Sequence, residues 1–501
     1  MNLHLFRNAW SNLLGAALPA LAALATVPLI VRGLGEASYG LYALVTAIVG
    51  YFAVIDINVT AGSVKYIAGQ HARGERGQVA ATLCFGLVVY ALIGALGALA
   101  LYGGAHLLVT RVFAVPPALI REAVACLQLA ALGFLFGQLQ SYLHSVPQGL
   151  MRFDVSSLIE MVFGTLVPCL TVALLWLGQG LFEVIALRVA ASAVHCLVLW
   201  QGVRRLLPAL RWRWPGPALR AEILGFSGWS FLSRFAALSY AHADKLIIGA
   251  LVGVTGLAYF TVAATLANRV LALTFRISSV FFPAASALAA GGELARLERV
   301  YLKATRYVVY LNAAMLVLLA VFASPLLALW MGAGFARNGA TVLALMAASQ
   351  CVDSLTSLPS LVNDGMGHPK LSGLFALARA LAGLGIVYAG VAGWGIVGAA
   401  WGHLLASSVF TLAFLVVVHG RTVPTRLSRL CAHAYLPGMG AAAAVALAAA
   451  LAERLFDHGL RDFVLIAAMS AALLALFGML FVVEPGDRRW AWARVKALAG
   501  N

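Results

Sequence analysis

Apolar residues run along this chain in blocks of about twenty, and glycine, proline and charge collect in the short stretches between them. About twenty apolar residues in helical form cross the hydrocarbon core of a bilayer. Open strands cannot satisfy their backbone hydrogen bonds in lipid, so each block reads as a helix. The blocks fall roughly at 10–31, 39–58, 80–103, 120–143, 156–178, 181–202, 223–242, 246–268, 305–323, 341–362, 371–391, 395–418, 434–452 and 462–483. The pattern thus predicts fourteen transmembrane helices. The second and eighth apolar segments outrun one membrane thickness, so both are expected to continue as helix beyond the bilayer. The first block, from about Trp10 to Val31, is long enough to span and is read as a retained helix, not a signal peptide.

The connectors repeat. Shifting the chain by about 217 residues lays "PLIVRGLGEASYGLY" over "KLIIGALVGVTGLAYF", matching Leu29 with Leu246, Ile30 with Ile247, Leu34 with Leu251 and Tyr42 with Tyr259. A shift of about 216 brings Gly149 onto Gly365, and one of about 215 brings Gly178 and Gly180 onto Gly393 and Gly395. One nearly constant offset across three separate loops implies an internal duplication. Helices 1–6 and 7–12 read as two copies of one unit, with helices 13 and 14 added. An even number of spans per copy gives both the same topology, related by an axis along the membrane normal. The expected organisation is an N-lobe over 1–202, a basic cytoplasmic linker over 203–222, a C-lobe over 223–418, and helices 13–14 with a tail over 419–501. The fold class is therefore all-α and polytopic, with two pseudo-symmetric six-helix lobes and two C-terminal helices.

Composition agrees. Hydrophobic residues make up 62% of the 501 and charged residues 10%, against about 25% charged in soluble domains. Mean hydropathy is +0.94. The formal charge of +16 admits two readings, nucleic-acid binding or the positive-inside bias of a membrane protein. Alternate loops separate them, with 21 Lys and Arg on one side and 7 on the other. The excess is topological, both termini are expected in the cytoplasm, and no nucleic-acid partner is expected. The six cysteines are scattered through apolar runs and read as small packing residues, not disulfides or metal ligands.

These residues also carry a family resemblance. The "GLGEASYGLYAL" connector, the Asp56-Ile-Asn segment closing helix 2 and "FFPAASALAAGGELARLERVYLKATRY" after helix 8 resemble the polysaccharide-transporter branch of the MOP (MATE-like) exporter superfamily. That branch includes Wzx-type flippases of lipid-linked oligosaccharides. The resemblance covers about the first 420 residues. It implies a multi-pass protein of the bacterial inner membrane whose lobes rock to expose a central cleft to each side in turn. Its substrate would be an undecaprenyl-diphosphate-linked oligosaccharide, and contact with polysaccharide polymerase machinery is a further implied partnership.

No phosphate-cradling G-x-x-x-x-G-K-[ST] loop or metal-binding spacing occurs in the sequence, so an enzyme is not expected and no cofactor is called for. Ionisable groups within the spans carry the remaining signal, because each is costly in lipid and must face water or a partner. Arg234 lies near the middle of helix 7, with Ser227, Ser230, Ala237 and Ala241 on its face, either as a cavity wall or in a structural ion pair. Arg269 and Arg276 share a face of helix 8, where substrate contact and snorkelling to the interface are both open. Arg188 in helix 6, which the repeat sets opposite His403, and Arg379 in helix 11 complete the cationic set. The acids are Asp56, Asp353 and Glu160. Asp56 has Thr60 and Ser63 on its face and Lys65 beyond them, and pairing with an arginine competes with cation binding. Asp56, Asp353 and Lys65 are the candidates for coupling to H⁺ or Na⁺, whereas His195, His242 and His403 read as packing or hydrogen-bonding residues.

Arginines outnumber acids within the spans, so a shared cleft between helices 1, 2, 7 and 8 would attract an anion. Arg also suits phosphate, because its planar fork donates two hydrogen bonds at once. That favours a diphosphate-bearing substrate over a MATE-type cation-coupled exporter. A lipid II flippase remains a close alternative. A glycan polymerase or ligase is disfavoured, because the longest external loop is under about 20 residues, near the ordinary range for connections.

Overall fold

The computed structural model describes residues 3–56, 59–150, 152–208, 212–278, 281–453 and 460–489. Every regular element among them is helical. In chain order the α-helices are α1 (Leu3–Leu34), α2 (Glu36–Phe52), α3 (Val59–Ala72), α4 (Arg76–Leu107), α5 (Ile120–Gly149), α6 (Phe153–Trp176) and α7 (Leu181–Leu206). They continue as α8 (Pro217–Leu251), α9 (Val254–Ser278), α10 (Phe281–Ala290), α11 (Leu294–Val321), α12 (Ala323–Met331), α13 (Ala333–Ser354) and α14 (Ser357–Gly365). The last four are α15 (Pro369–Arg421), α16 (Leu427–Leu430), α17 (Leu436–Glu453) and α18 (Leu460–Phe477). Eleven helical segments among the described residues are long and apolar enough to cross a membrane.

Three boundaries differ from the sequence reading. The stretch "YAHADKLII" looked like a connector because Asp244 and Lys245 are charged, yet α8 runs through it to Leu251. Asp244 is 3% exposed and 3.3 Å from the Lys245 ammonium, so the helix interior absorbs both charges. The segment after α2 is not one continuous helix. A 3-10 turn, Ala53–Ile55, leads to Asp56 in an extended conformation (φ −66°, ψ 110°), and a new helix starts at Val59. The interhelical connector is also shorter than the basic linker over 203–222, since α7 continues to Leu206 and α8 begins at Pro217. Proline at the first helical position needs no hydrogen-bond partner for its nitrogen.

The connectors that prompted the duplication reading are built on glycines of positive φ. Gly35 (79°) joins α1 to α2, and Gly253 (95°) joins α8 to α9. Gly74 (73°) precedes α4 and Gly292 (71°) precedes α11. Gly178 (77°) lies between α6 and α7, and Gly395 (58°) marks a kink inside α15. The members of these pairs lie 218, 218 and 217 residues apart. Only glycine adopts such a φ without a steric cost, so the spacing of the turns is written in residue type. Gly178 therefore corresponds by conformation to Gly395, not to Gly393.

Packing divides the chain into one unit over Met1–Ala258 and a second over Tyr259–Asn501. In the first, α4 packs on α5 where Gly86 and Gly97 leave room for the rings of Tyr142 and Phe134. In the same unit α2 packs on α8. A Cβ on Gly40 would lie 1.8 Å from the Val254 carbonyl, and one on Gly50 would lie 2.6 Å from the His242 ring. In the second unit α11 packs on α17 and α13 on α15. The two arms of α15 meet through Gly390 and Gly398, each with its missing Cβ about 2 Å from the other's carbonyl oxygen.

Candidate functional site

Each unit holds a buried polar network built on one of the candidate acids. In the first, the break before α3 brings Asp56 inward to full burial. The Tyr90 hydroxyl donates to Asp56 Oδ1 at 2.7 Å and accepts from the Thr60 backbone N–H at 3.2 Å. The Tyr90 ring stacks on Tyr142 at 5.1 Å. The Tyr142 hydroxyl in turn donates to the Thr82 carbonyl at 3.1 Å, and Thr82 Oγ1 donates to Gln70 Oε1 at 3.0 Å. The apolar core around this chain includes Val59, Ile67, Leu83 and Val146. A charged or polar group in such surroundings is stable only when hydrogen-bonded, and a tyrosine hydroxyl that both donates and accepts supplies that link.

In the second unit, Asp353 near the end of α13 is 8% exposed. Arg379 Nη2 on α15 lies 2.5 Å from its Oδ2 and also donates to Ser407 Oγ at 3.0 Å. Ser407 and Ser349 share a hydrogen bond of 2.8 Å. Close by in the same unit, Gln350 Nε2 donates to Asn268 Oδ1 at 2.7 Å, and the Thr274 hydroxyl reaches Asn312 Oδ1 at 2.5 Å. Arg379 and Asp353 were assigned separate roles from sequence, one to substrate and one to coupling. They form one ion pair.

The other candidates stand apart from these networks. Arg188 on α7 is exposed, with its guanidinium 5.4 Å from the Tyr42 ring centre and hydrogen-bonded to the Tyr42 hydroxyl. It thereby ties α7 to the "ASYGLY" connector helix. Arg269 on α9 is exposed. No carboxylate among the described residues lies within ion-pair distance of Arg188 or Arg269. The side chains of Arg234 and Ser230 on α8 and of Arg276 on α9 lie outside the described residues. Lys65 is exposed on α3, 5.5 Å from the Tyr66 ring centre. Glu160 lies 3.5 Å from His144 Nε2.

Two histidines are packed against rings, as expected from sequence: His195 stacks on Phe163 at 4.3 Å and His403 on Phe260 at 6.1 Å. Four of the cysteines, Cys84, Cys126, Cys196 and Cys351, are buried thiols. Among the described residues no cluster of three His, Cys, Asp or Glu could hold a metal ion. Sequence reasoning missed Tyr90, Tyr142, Gln70, Ser349, Ser407 and Gln350. Their only signal was polarity inside an apolar block, which does not name a partner.

Chemically, Asp56 and Asp353 are engaged by a hydrogen-bond and an ion-pair partner, while Arg188 and Arg269 present exposed guanidinium groups. Such a set binds and releases ligands and offers no nucleophile with an adjacent base.

The chain matches the family model described as "Polysaccharide biosynthesis protein" over residues 29–338. A protein of Shigella flexneri named "Putative O-antigen transporter" is 20% identical over 397 residues, which are 79% of this chain and 93% of that protein. Among solved structures, an inward-facing multidrug resistance MATE family transporter of the MOP superfamily superposes with a TM-score of 0.72 at 16% identity. The match covers 84% of this chain and 98% of that one. A MOP superfamily transporter from Pyrococcus furiosus superposes at 0.59 and 16% identity, covering 85% and 95%. These likenesses establish the fold, and these relatives and neighbours are transporters, not enzymes. The chain belongs to the polysaccharide biosynthesis protein family, and its many apolar helices make it a multi-pass membrane protein with a fold like that of MOP superfamily transporters.

Proposed function

We propose that this transporter is a flippase that moves an undecaprenyl-diphosphate-linked oligosaccharide from the cytoplasmic to the periplasmic leaflet by alternating access. Membership of a polysaccharide biosynthesis family supports the glycan, and the "O-antigen transporter" name of the Shigella relative supports a lipid-linked one. The observation that carries the diphosphate is the state of the charges. Asp353 is neutralised by Arg379 and Asp56 accepts from Tyr90, whereas Arg188 and Arg269 are exposed guanidinium groups. An anion gains from guanidinium groups that no carboxylate neutralises, and a diphosphate offers them bidentate geometry.

Our reading keeps fourteen spans. Eleven meet the length and hydropathy criteria. Helices α1 and α8 join them, and the kink at Trp394–Gly395 divides α15 in two. The recurring glycine turns support two six-helix copies. The Lys and Arg imbalance supports a bacterial cytoplasmic membrane with both termini inside. Arg269, Arg234, Arg276, Arg188 and Ser230 are the residues we assign to the substrate, while Arg379 is reassigned to holding Asp353. Asp56, Asp353 and Lys65 remain our candidates for coupling to H⁺ or Na⁺. Polysaccharide polymerase machinery would receive the product.

The test is flipping of a lipid-linked oligosaccharide in proteoliposomes by wild type, Arg269→Lys and Arg269→Ala. Loss of a charge-assisted contact of about 1.5–3 kcal/mol should cut flipping about tenfold or more in Arg269→Ala, with Arg269→Lys intermediate. The MATE fold favours one rival, a cation-coupled small-molecule exporter. Efflux of a cationic dye without glycan flipping would replace our reading, and preference for lipid II over the oligosaccharide lipid would move it to peptidoglycan.

A further inference from the structure

Away from both polar networks, the first turns of α11 present Arg296, Arg299, Lys303 and Arg306 at successive spacings of three, four and three residues. That spacing puts all four on one face of the helix. Together with His433 and Glu484 they line a cavity of about 480 Å³ where α11 meets the π-helical turn Cys431–Tyr435 and the stretch after Val482. Four cations so close repel one another, and the protein compensates only part of that charge. Arg296 pairs with Glu293 at 3.0 Å. Lys303 pairs with Asp487 at 2.6 Å and lies 3.5 Å from Glu484, and the contact with Lys303, with help from the Tyr307 hydroxyl, holds the Asp487 carboxyl below its usual range. Among the described residues, Arg299 donates only to a carbonyl of its own helix, at 3.4 Å. Arg306 donates to the Phe481 carbonyl, and its Nε is buried with no acceptor among the described residues.

Positive-inside bias accounts for basic residues at this end of the helix. It does not account for their convergence on a concave site. Beside the site the last two spans turn an apolar surface outward. Leu476 (51%), Leu480 (50%), Phe481 (57%) and Leu436 (68%) are exposed. A cationic cavity bordered by exposed apolar side chains matches a ligand with an anionic head and hydrocarbon tails. A soluble anion would make no use of the second half.

We propose that this cavity binds the phosphate headgroup of an anionic phospholipid, with Arg299 and Arg306 as its contacts and the acyl chains lying along α17 and α18. The lipid then bridges α11 and the C-terminal pair at their junction. Basic pockets between membrane helices hold phosphate headgroups by the same charge-assisted bonds.

The full-length protein, purified in neutral detergent, is titrated with phosphatidylglycerol, phosphatidylcholine or inorganic pyrophosphate, and binding is read by native mass spectrometry. Phosphatidylglycerol should bind at least about tenfold tighter than phosphatidylcholine. Arg299→Gln should remove most of that preference. Arg299 is exposed and, among the described residues, holds no partner outside its own helix, so this variant tests binding without removing a structural contact. Arg337→Gln, an exposed arginine on α13, should leave the preference intact. Equal binding of the two lipids overturns the proposal. So does an equal loss in both variants, and so does saturation by pyrophosphate that displaces phosphatidylglycerol, which would mark a site for soluble anions.

Discussion

Asp353 and Arg379 illustrate how a residue's role turns on its partner. The pair is largely buried, with side-chain exposures of 9% and 20%. Removing one member of such a pair leaves the other charge uncompensated in a poorly solvating interior, at a cost of about 3–5 kcal/mol, whereas removing both is far milder. Asp353→Asn and Arg379→Gln should each lower the melting temperature and membrane abundance clearly, and the double variant should recover most of the loss. A double variant as unstable as the sum of the singles would mean that the two side chains act independently. Asp56 is a different case, because its anchor is the Tyr90 hydroxyl. Tyr90→Phe keeps the ring stacked on Tyr142 and deletes the hydroxyl that donates to Asp56 at 2.7 Å and accepts from the Thr60 backbone N–H at 3.2 Å. A buried acceptor left without its donor costs about 1–3 kcal/mol, so this variant should melt earlier than wild type. An unchanged melting temperature would mean that Asp56 finds another donor.

Among the elements, α15 shows what glycine does in a membrane helix pair. Its two arms approach so closely that a Cβ on Gly398 would lie 1.9 Å from the Gly390 carbonyl oxygen. Backbone cannot yield as a side-chain tip can, so Gly398→Ala should destabilise by at least the 1–3 kcal/mol typical of overpacking. Gly385 on the same helix has no atom within 4 Å of its missing Cβ, and Gly385→Ala should be neutral or gain up to about 1 kcal/mol from helix propensity. Thermal melting of the two purified variants compares them directly, and equal effects would contradict the packing described. The break at Asp56 belongs to this scale too. Apolar content along the second segment said only that helix continued. It continues after an interruption, because the backbone turns to set a carboxylate beside Tyr90 and ahead of α3, where the helix N-terminus favours negative charge.

For the whole molecule, the topology we propose from the basic loops assigns each connector to one side of the membrane. Cysteines are introduced singly into a background with the exposed Cys169 replaced by Ala. A membrane-impermeant maleimide applied to intact cells should label Gln179→Cys and Ala333→Cys. Ala72→Cys and Leu294→Cys should label only after the membrane is opened. All four positions are exposed connector or helix-end sites. Labelling of either inner pair member in intact cells would overturn the orientation. Salt should matter little to this result, since it reads the path of the chain and not the strength of a contact.

Hydropathy alone determined that these blocks are helices in lipid, because an unpaired backbone has no partner there. Glycine placement alone carried the expectation of a duplication, because a positive φ is a local demand that residue type either meets or does not. The dominance of arginine over acids within the spans was equally visible, and with it the leaning toward an anionic substrate. Only the tertiary structure decided which charges remain available. Asp353 and Arg379 are 26 residues apart, and Asp56 and Tyr90 are 34 apart. Asp353 and Arg379 sit on different helices, and Asp56 sits at the break before α3 while Tyr90 is on α4, so their meeting depends on how those elements pack against one another. Gly86 and Gly97 admit rings of α5 against α4, and Gly390 and Gly398 let the two arms of α15 touch. Such fits depend on the summed shape of two helices, which periodicity along one of them does not contain. The basic cavity at α11 has the same origin. Its four cations could be read as a stripe, but their closure around a space required the C-terminal helices to dock beside them.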